Sequence, residues 1–188
     1  LPFYLFNNPE AARQLVVYRH RDLPEARERA RELDCEGACY PMMTLDGTEV
    51  CGVWQHGNLE IHVTAGIAYG LWHYVNVTGD TEMYNPRGLE MLLNISRYFA
   101  SRGDWCGSTD EFGFYGVMGA DEFHMMVHNN AYTNVMARKV FEWTLGLVDR
   151  MREDAPGVLR DAMERFDVTE DELESWERIA SKIRVNQD

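Results

Sequence analysis

The chain has 188 residues, 45% apolar and 26% charged, the proportions of an ordinary globular protein, with a formal net charge of −13. That charge argues against a nucleic-acid partner, which needs a basic face, and suits a cytoplasmic protein acting on a neutral or small anionic ligand. No apolar run approaches the roughly 20 residues that span a bilayer, and the apolar stretch from Leu1 to Phe6 is short and lacks a basic flank, so neither a membrane segment nor a signal peptide is expected. Beginning on Leu1 rather than Met, the chain reads as a piece of a longer protein.

The pattern is helical almost throughout. Asn8-Pro9 is a cap followed by proline at the first helical position and predicts a helix to about His20. Leu23-Pro24 opens a second, with Ala26, Ala30 and Leu33 at helical spacing. A loop is expected from Gly37 to Gly57, where Tyr40-Pro41 and Asp46-Gly47 are turn signals. Ile61, Ala65, Ala68, Trp72 and Val75 then recur every three or four residues until Gly79 stops the helix. Tyr69, Leu71 and Tyr74 make it apolar on most sides, which predicts packing on more than one face. Asp80 is expected to cap the next helix, whose stripe is Leu89, Leu93, Ser96 and Phe99 and whose end is Gly103.

From Asp104 to Val117, aromatic residues spaced by glycines predict a short β-hairpin. A non-periodic loop from Met118 to His128 follows, then a long helix to about Met151 carrying Met136, Val140, Trp143 and Leu147. Thr169 and Glu172 form a capping box before the last helix, with Val168 and Leu173 as its hydrophobic staple. The acidic excess from Asp167 to Glu177 reads as a solvated helix face. Cys35, Cys39, Cys51 and Cys106 have neither zinc-finger spacing nor the density of a disulfide scaffold, so reduced, mostly buried thiols are expected. Six or seven helices in consecutive pairs suit an α/α toroid. A closed toroid of twelve needs on the order of 350 residues, of which this chain would supply about half, and a smaller helical bundle is the alternative.

The stretch Gly116 to Asn130 sets two carboxylates, two histidines and two amides among apolar residues. A carboxyl held against Phe and Met side chains has its charged form disfavoured, keeps its proton near neutral pH and can donate it, as cleavage of a glycosidic bond requires. The bland alternative is that Asp121 caps a turn and Glu122 pairs with a histidine. Glu122, His124 and His128 also have metal-ligand chemistry, but the order is not His-Glu-x-x-His and no third histidine lies close, so no metal is expected. A second region runs from Trp54 to His62. An indole beside amides and a carboxylate is sugar-binding material, although Trp54 can equally anchor a loop and Glu60 stabilise a helix start.

At these residues the sequence resembles glycoside hydrolase family 65, the maltose, kojibiose, nigerose and trehalose phosphorylases. The likeness runs along nearly the whole chain: Leu1-Pro2-Phe3-Tyr4-Leu5, Asn8-Pro9-Glu10-Ala11-Ala12, Ala26-Arg27 with Gly37-Ala38, Glu60-Ile61-His62 and Gly79-Asp80. It is most specific in Gly119 to His124 (Gly-x-Asp-Glu-Phe-His) and Asn129 to Asn134 (Asn-Asn-x-Tyr-Thr-Asn). The resemblance implies an all-α fold that is part of an (α/α)6 barrel, residues 1–188 being the central part of one catalytic domain and the barrel incomplete at both ends. It implies Glu122 as the general acid, inorganic phosphate as co-substrate and nucleophile, and no further cofactor. The partners would be an α-linked glucose disaccharide and phosphate, and the product β-glucose 1-phosphate.

Trp54, Gln55, Glu60, His62, Asp121, His124, Asn130 and Tyr132 are the substrate-pocket candidates, tight helix packing being the other explanation of Asn130 and Tyr132. Gln55 stands where many family members have Glu, and His128 where Asp or Glu is common, so no particular acceptor sugar or linkage is implied. The family's glucose-binding Trp-Asp motif lies upstream of the segment matched by Leu1, and its Lys-Gln pair and serine-containing phosphate loop lie beyond the segment matched here. By that reading the piece alone is expected to be inactive. Family members are commonly dimers, which implies a homodimer for the full-length protein. An inverting hydrolase of the same family and a non-catalytic glycan-binding helical module are the competing functions.

Overall fold

The computed structural model describes residues 6–185, so the Leu1-Pro2-Phe3-Tyr4-Leu5 motif lies outside the described residues. Among the described residues, the α-helices and β-strands that lie wholly within them follow in order: α1 (Pro9–Arg21), α2 (Leu23–Glu32), α3 (Trp54–Leu59), α4 (His62–Thr78), α5 (Arg87–Arg102), β1 (Asp104–Cys106), β2 (Glu111–Gly113), α6 (Ala131–Asp154), α7 (Pro156–Phe166) and α8 (Glu170–Lys182). The Asn8 side chain caps α1, accepting from the Ala11 amide at 3.0 Å, and Pro9 occupies the first turn. Trp105 lies opposite Phe112 in the antiparallel hairpin. Among the described residues no helix is long and apolar enough to cross a membrane.

The architecture is built around α5. It packs against α1, α2, α4, α6, α7 and α8 and buries eleven of its sixteen residues. Its buried polar groups find partners along the helix: Ser96 bonds to Thr144 of α6 at 2.8 Å, and Thr144 returns its proton to the Val140 carbonyl at 2.8 Å. Glu90 sits almost wholly buried between His20 and Arg165, each at 2.7 Å. On one side of α5, helices α4 and α6 run parallel. His62 meets Tyr132 edge-on at 5.5 Å near their N-termini, and Trp72 stacks on Trp143 at 5.2 Å about three turns further along. Parallel helices joined through an antiparallel one are the repeating unit of an (α/α)6 barrel, and the expected packing of α4 on several faces is observed against α1, α5 and α6.

Four expectations are corrected. The stretch from Gly37 to Gly57 is not all loop, because Val53 starts α3 inside it. Asp80 stands at the N-terminal end of a 3₁₀ turn (Thr81–Tyr84) rather than of α5 and makes no side-chain cap there, its carboxylate being taken by the Tyr74 hydroxyl at 2.8 Å and by Arg13 at 3.5 Å. Helix α7 was not expected, although Pro156 at its first turn and Leu159, Ala162 and Phe166 on its buried face mark it. The four thiols are free as expected, yet only Cys39 is fully buried. The Thr169 cap of α8 forms, accepting from the Glu172 amide at 3.3 Å. Glu172 itself turns away to bind Arg97 through both oxygens, clamping α8 to α5.

The chain between α2 and α3 is strapped to α5 at Gly37. Ala38 donates to the Asn94 carbonyl at 2.9 Å, and Gly37 has φ +74 with a would-be Cβ 2.2 Å from that same carbonyl oxygen. A side chain there must move backbone on both sides. Gly37→Ala is therefore expected to destabilise by about 3 kcal/mol or more. Gly52→Ala, where a Cβ meets nothing within 4 Å, should be nearly silent. Urea unfolding of the two variants checks the contrast.

Candidate active site

The site forms where the end of α3, the start of α4 and the loop from Val117 to Asn129 converge. Arg29 of α2 anchors α3 from below, donating to the Gly57 carbonyl and, at 3.2 Å, to Asn58 Oδ1. The loop is closed at its neck by two hydrogen bonds, Val117 N to Val127 O at 3.0 Å and Val127 N to Val117 O at 2.9 Å. It is tied to α3 by Met118 N to Leu59 O at 2.9 Å and to the hairpin by Asn129 N to Phe114 O at 2.8 Å. Gly119 lets the loop lie on α6, since a Cβ there would sit 2.5 Å from Asn130 Nδ2.

Between those anchors the backbone is strained. Glu122 and Met126 are left-handed at φ 56 and φ 60, a conformation that costs a non-glycine residue about 1 kcal/mol or more. Strain of this kind at a solvent-facing carboxylate points to function rather than packing. The Glu122 side chain is 51% exposed, with its Oε2 3.7 Å from His56 Nε2. That nitrogen also lies 3.9 Å from Glu60 Oε1, and Glu60 Oε2 lies 3.8 Å from His62 Nε2. Glu60 is buried, its side chain 3% exposed. The acids and histidines thus alternate: Glu122, His56, Glu60, His62.

The surroundings differ from the sequence reading. Phe123, Met125 and Met126 point outward, Phe123 at 87% exposure, so they do not enclose Glu122. The carboxyl that burial acts on is Glu60. Burial first, and the neighbouring Glu122 carboxylate second, push it above the usual glutamate range, with His56 drawing it part of the way back. Burial also pushes the His62 imidazole down, opposed by the Met118 backbone and by Glu122. Asp121 pairs with the exposed His124, whose hydrogen bond holds its carboxyl below the usual range.

Asn130 uses its side-chain oxygen to cap α6, accepting from the Thr133 amide at 3.0 Å. Tyr132 is half exposed beside His62, and Trp54 is largely exposed at the start of α3, where an indole face is open to a ligand. Gln55 follows it on the same short helix, half-buried. His128 accepts from the Gly116 amide at 3.1 Å, away from the carboxylates. The ligand atoms that come within 4.8 Å of one another belong to His56, Glu60 and Glu122, not to Glu122, His124 and His128. His56 was missed in the sequence. Its signal was the four-residue spacing to Glu60, which becomes meaningful once Trp54 to Leu59 is recognised as a helical turn.

Paired helices that present an acidic loop at one end have the layout of part of an (α/α)6 barrel. The chain belongs to glycosyl hydrolase family 65: the family's central catalytic domain matches residues 1–188. It is 34% identical to a kojibiose phosphorylase of Halothermothrix orenii over 97% of this chain and 25% of that protein. It is 33% identical to a maltose phosphorylase of Bacillus subtilis over 95% of this chain and 23% of that protein. A solved structure provisionally described as a kojibiose phosphorylase from human microbiome superposes with a TM-score of 0.92 at 37% identity, covering 100% of this chain and 26% of that one. The chain spans about a quarter of the length of the curated relatives it matches.

The Glu60 and His62 shifts have opposite consequences for stability. Glu60 is raised in the folded state, so its contribution is full below the ordinary glutamate pKa and is lost as pH rises through the folded value. His62 is lowered, so its contribution is present above the ordinary histidine pKa and is lost as pH falls through the folded value. Glu60→Gln should therefore gain stability relative to the parent as pH rises from about 4 to about 7. Melting temperatures measured across that range check it, and a constant difference contradicts it.

Proposed function

We propose that the chain supplies the general-acid side of an inverting phosphorolytic site for α-linked glucosides. Glu122 protonates the departing glycosidic oxygen, and inorganic phosphate attacks the anomeric carbon from the opposite face to give β-glucose 1-phosphate. The observation that carries this reading is the Glu122 carboxyl, lifted toward solvent on a neck-closed loop in a left-handed conformation, beside the buried carboxyl of Glu60.

The chemistry asks for one acid here. A hydrolase that inverts must pair its acid with a second carboxylate that activates water. Phosphate is already an anionic nucleophile and needs only to be held in place. Glu60 is poorly suited to be a water-activating base, because it is buried and lies on the same side as Glu122, beside the same histidine. Trp54, Gln55, Tyr132 and His62 lie around the acid and are the candidates for contact with the sugar. Asp121 and His124 brace the loop beside Glu122 as an ion pair. The names of the relatives, which include kojibiose, maltose and α,α-trehalose phosphorylases, support an α-glucoside as substrate and phosphate as co-substrate. The full-length protein acts in the cytoplasm, as a homodimer.

In the protein that carries this chain, Glu122→Gln should lower kcat by about 10³-fold or more while leaving disaccharide binding nearly intact, because the lost interaction is made in the transition state. Phosphorolysis rates on a panel of α-linked glucose disaccharides check this. Parent-like activity in the variant removes Glu122 from the acid role.

A further inference from the structure

His56 lies between two carboxyls and is accounted for by neither the helix it belongs to nor the core. Its Nε2 is 3.7 Å from Glu122 Oε2 and 3.9 Å from Glu60 Oε1, while its side chain is only a quarter exposed. Two carboxyls brought this close repel when both are ionised, and the partly buried setting weakens solvent screening. Helix α3 is held rigidly beneath it. Arg29 donates to Gly57 and Asn58, the residues that follow His56, and is itself paired with Glu49 at 3.5 Å. The other titratable groups around the cluster are already committed: His62 faces the far oxygen of Glu60 at 3.8 Å, and His124 is bound to Asp121. No basic side chain other than His56 lies within ion-pair distance of Glu122 among the described residues.

We infer that His56 is a positioning residue for the acid: its imidazolium bridges Glu60 and Glu122, offsets their repulsion and holds Glu122 at the height from which it reaches the glycosidic oxygen. This rests on Glu122 being the acid. The two neighbours of Glu122 then act on it with opposite signs. The cationic ring favours loss of its proton, and the Glu60 carboxylate opposes it. The loop strain at Glu122 fits such a device, since an electrostatic tether at the carboxyl helps to keep the residue in a conformation its backbone disfavours.

The test is the pH profile of kcat/KM for phosphorolysis by the protein that carries this chain, as parent, His56→Gln and Glu60→Gln. The alkaline limb reports loss of the proton from the acid. In His56→Gln it should move to higher pH by about half a unit or more, with kcat reduced about tenfold by misplacement of the carboxyl. In Glu60→Gln the limb should move to lower pH. Opposite displacements are a result that a packing role for these residues does not produce. A limb that stays in place in folded His56→Gln overturns the inference, and if His56→Gln does not fold, the profile of His56→Asn, read in the same way, decides. Glu122→Gln separates the two possible failures. If it loses activity while the His56→Gln limb is unmoved, only the role of His56 falls. If it keeps activity, the acid assignment falls and the His56 role with it.

Discussion

Val117 and Val127 exchange two backbone hydrogen bonds across a loop that has no helix or strand of its own between them. That neck turns nine intervening residues into a closed lobe, and three further ties fix its position: Met118 to Leu59, Asn129 to Phe114, and Gly119 lying flush on Asn130. Loop residues ordinarily relax into favourable backbone regions. Here the lobe is anchored at both ends, so left-handed conformations at Glu122 and Met126 are held in place instead of relieved. The position of Glu122 is thus set by hydrogen bonds several residues away, beside the hairpin and on α3.

The electrostatic layout follows from the same convergence. Tying the loop to the end of α3 brings a carboxylate from residue 122 over one from residue 60, and burial decides how the pair divides its roles. Glu60 is the enclosed member, its pKa raised first by burial and then by the neighbouring Glu122 carboxyl. Glu122, half exposed, is the one that a substrate can reach. Histidines alternate with the acids, and among the described residues no lysine or arginine pairs with Glu60 or Glu122. That arrangement suits proton transfer near neutral pH, where imidazoles can change charge and guanidinium groups cannot.

Much of this was legible in the residues. The helices marked by capping and by unbroken three-four periodicity were found within a residue or two: α1 through Asn8-Pro9, α4 through Ile61 to Val75 and Gly79, and α8 through Thr169 and Glu172. The acidic loop was located because its pattern is non-periodic and rich in chemistry. Local signals failed where tertiary contacts decide. Helix α3 contains Gly57 and Asn58, poor helix formers, and depends on Arg29 reaching across from α2. Asp80 has the chemistry of a cap, but Tyr74 and Arg13 take its carboxylate. The apolar setting expected for Glu122 rests on its sequence neighbours Phe123 and Met125, which both face solvent on the strained loop. Sequence proximity could not show that the buried carboxyl of the site is Glu60, sixty-two residues earlier in the chain and joined to Glu122 through a histidine that only the fold brings between them.

The central claim is that an acid on this loop acts with phosphate, and not with an activated water, on an α-linked glucoside. Proton NMR of the first turnovers, run on the protein that carries this chain with and without inorganic phosphate, tests it most directly. The account expects β-glucose 1-phosphate to appear only when phosphate is present. Free glucose formed at the same rate in its absence would contradict it and assign a hydrolase instead.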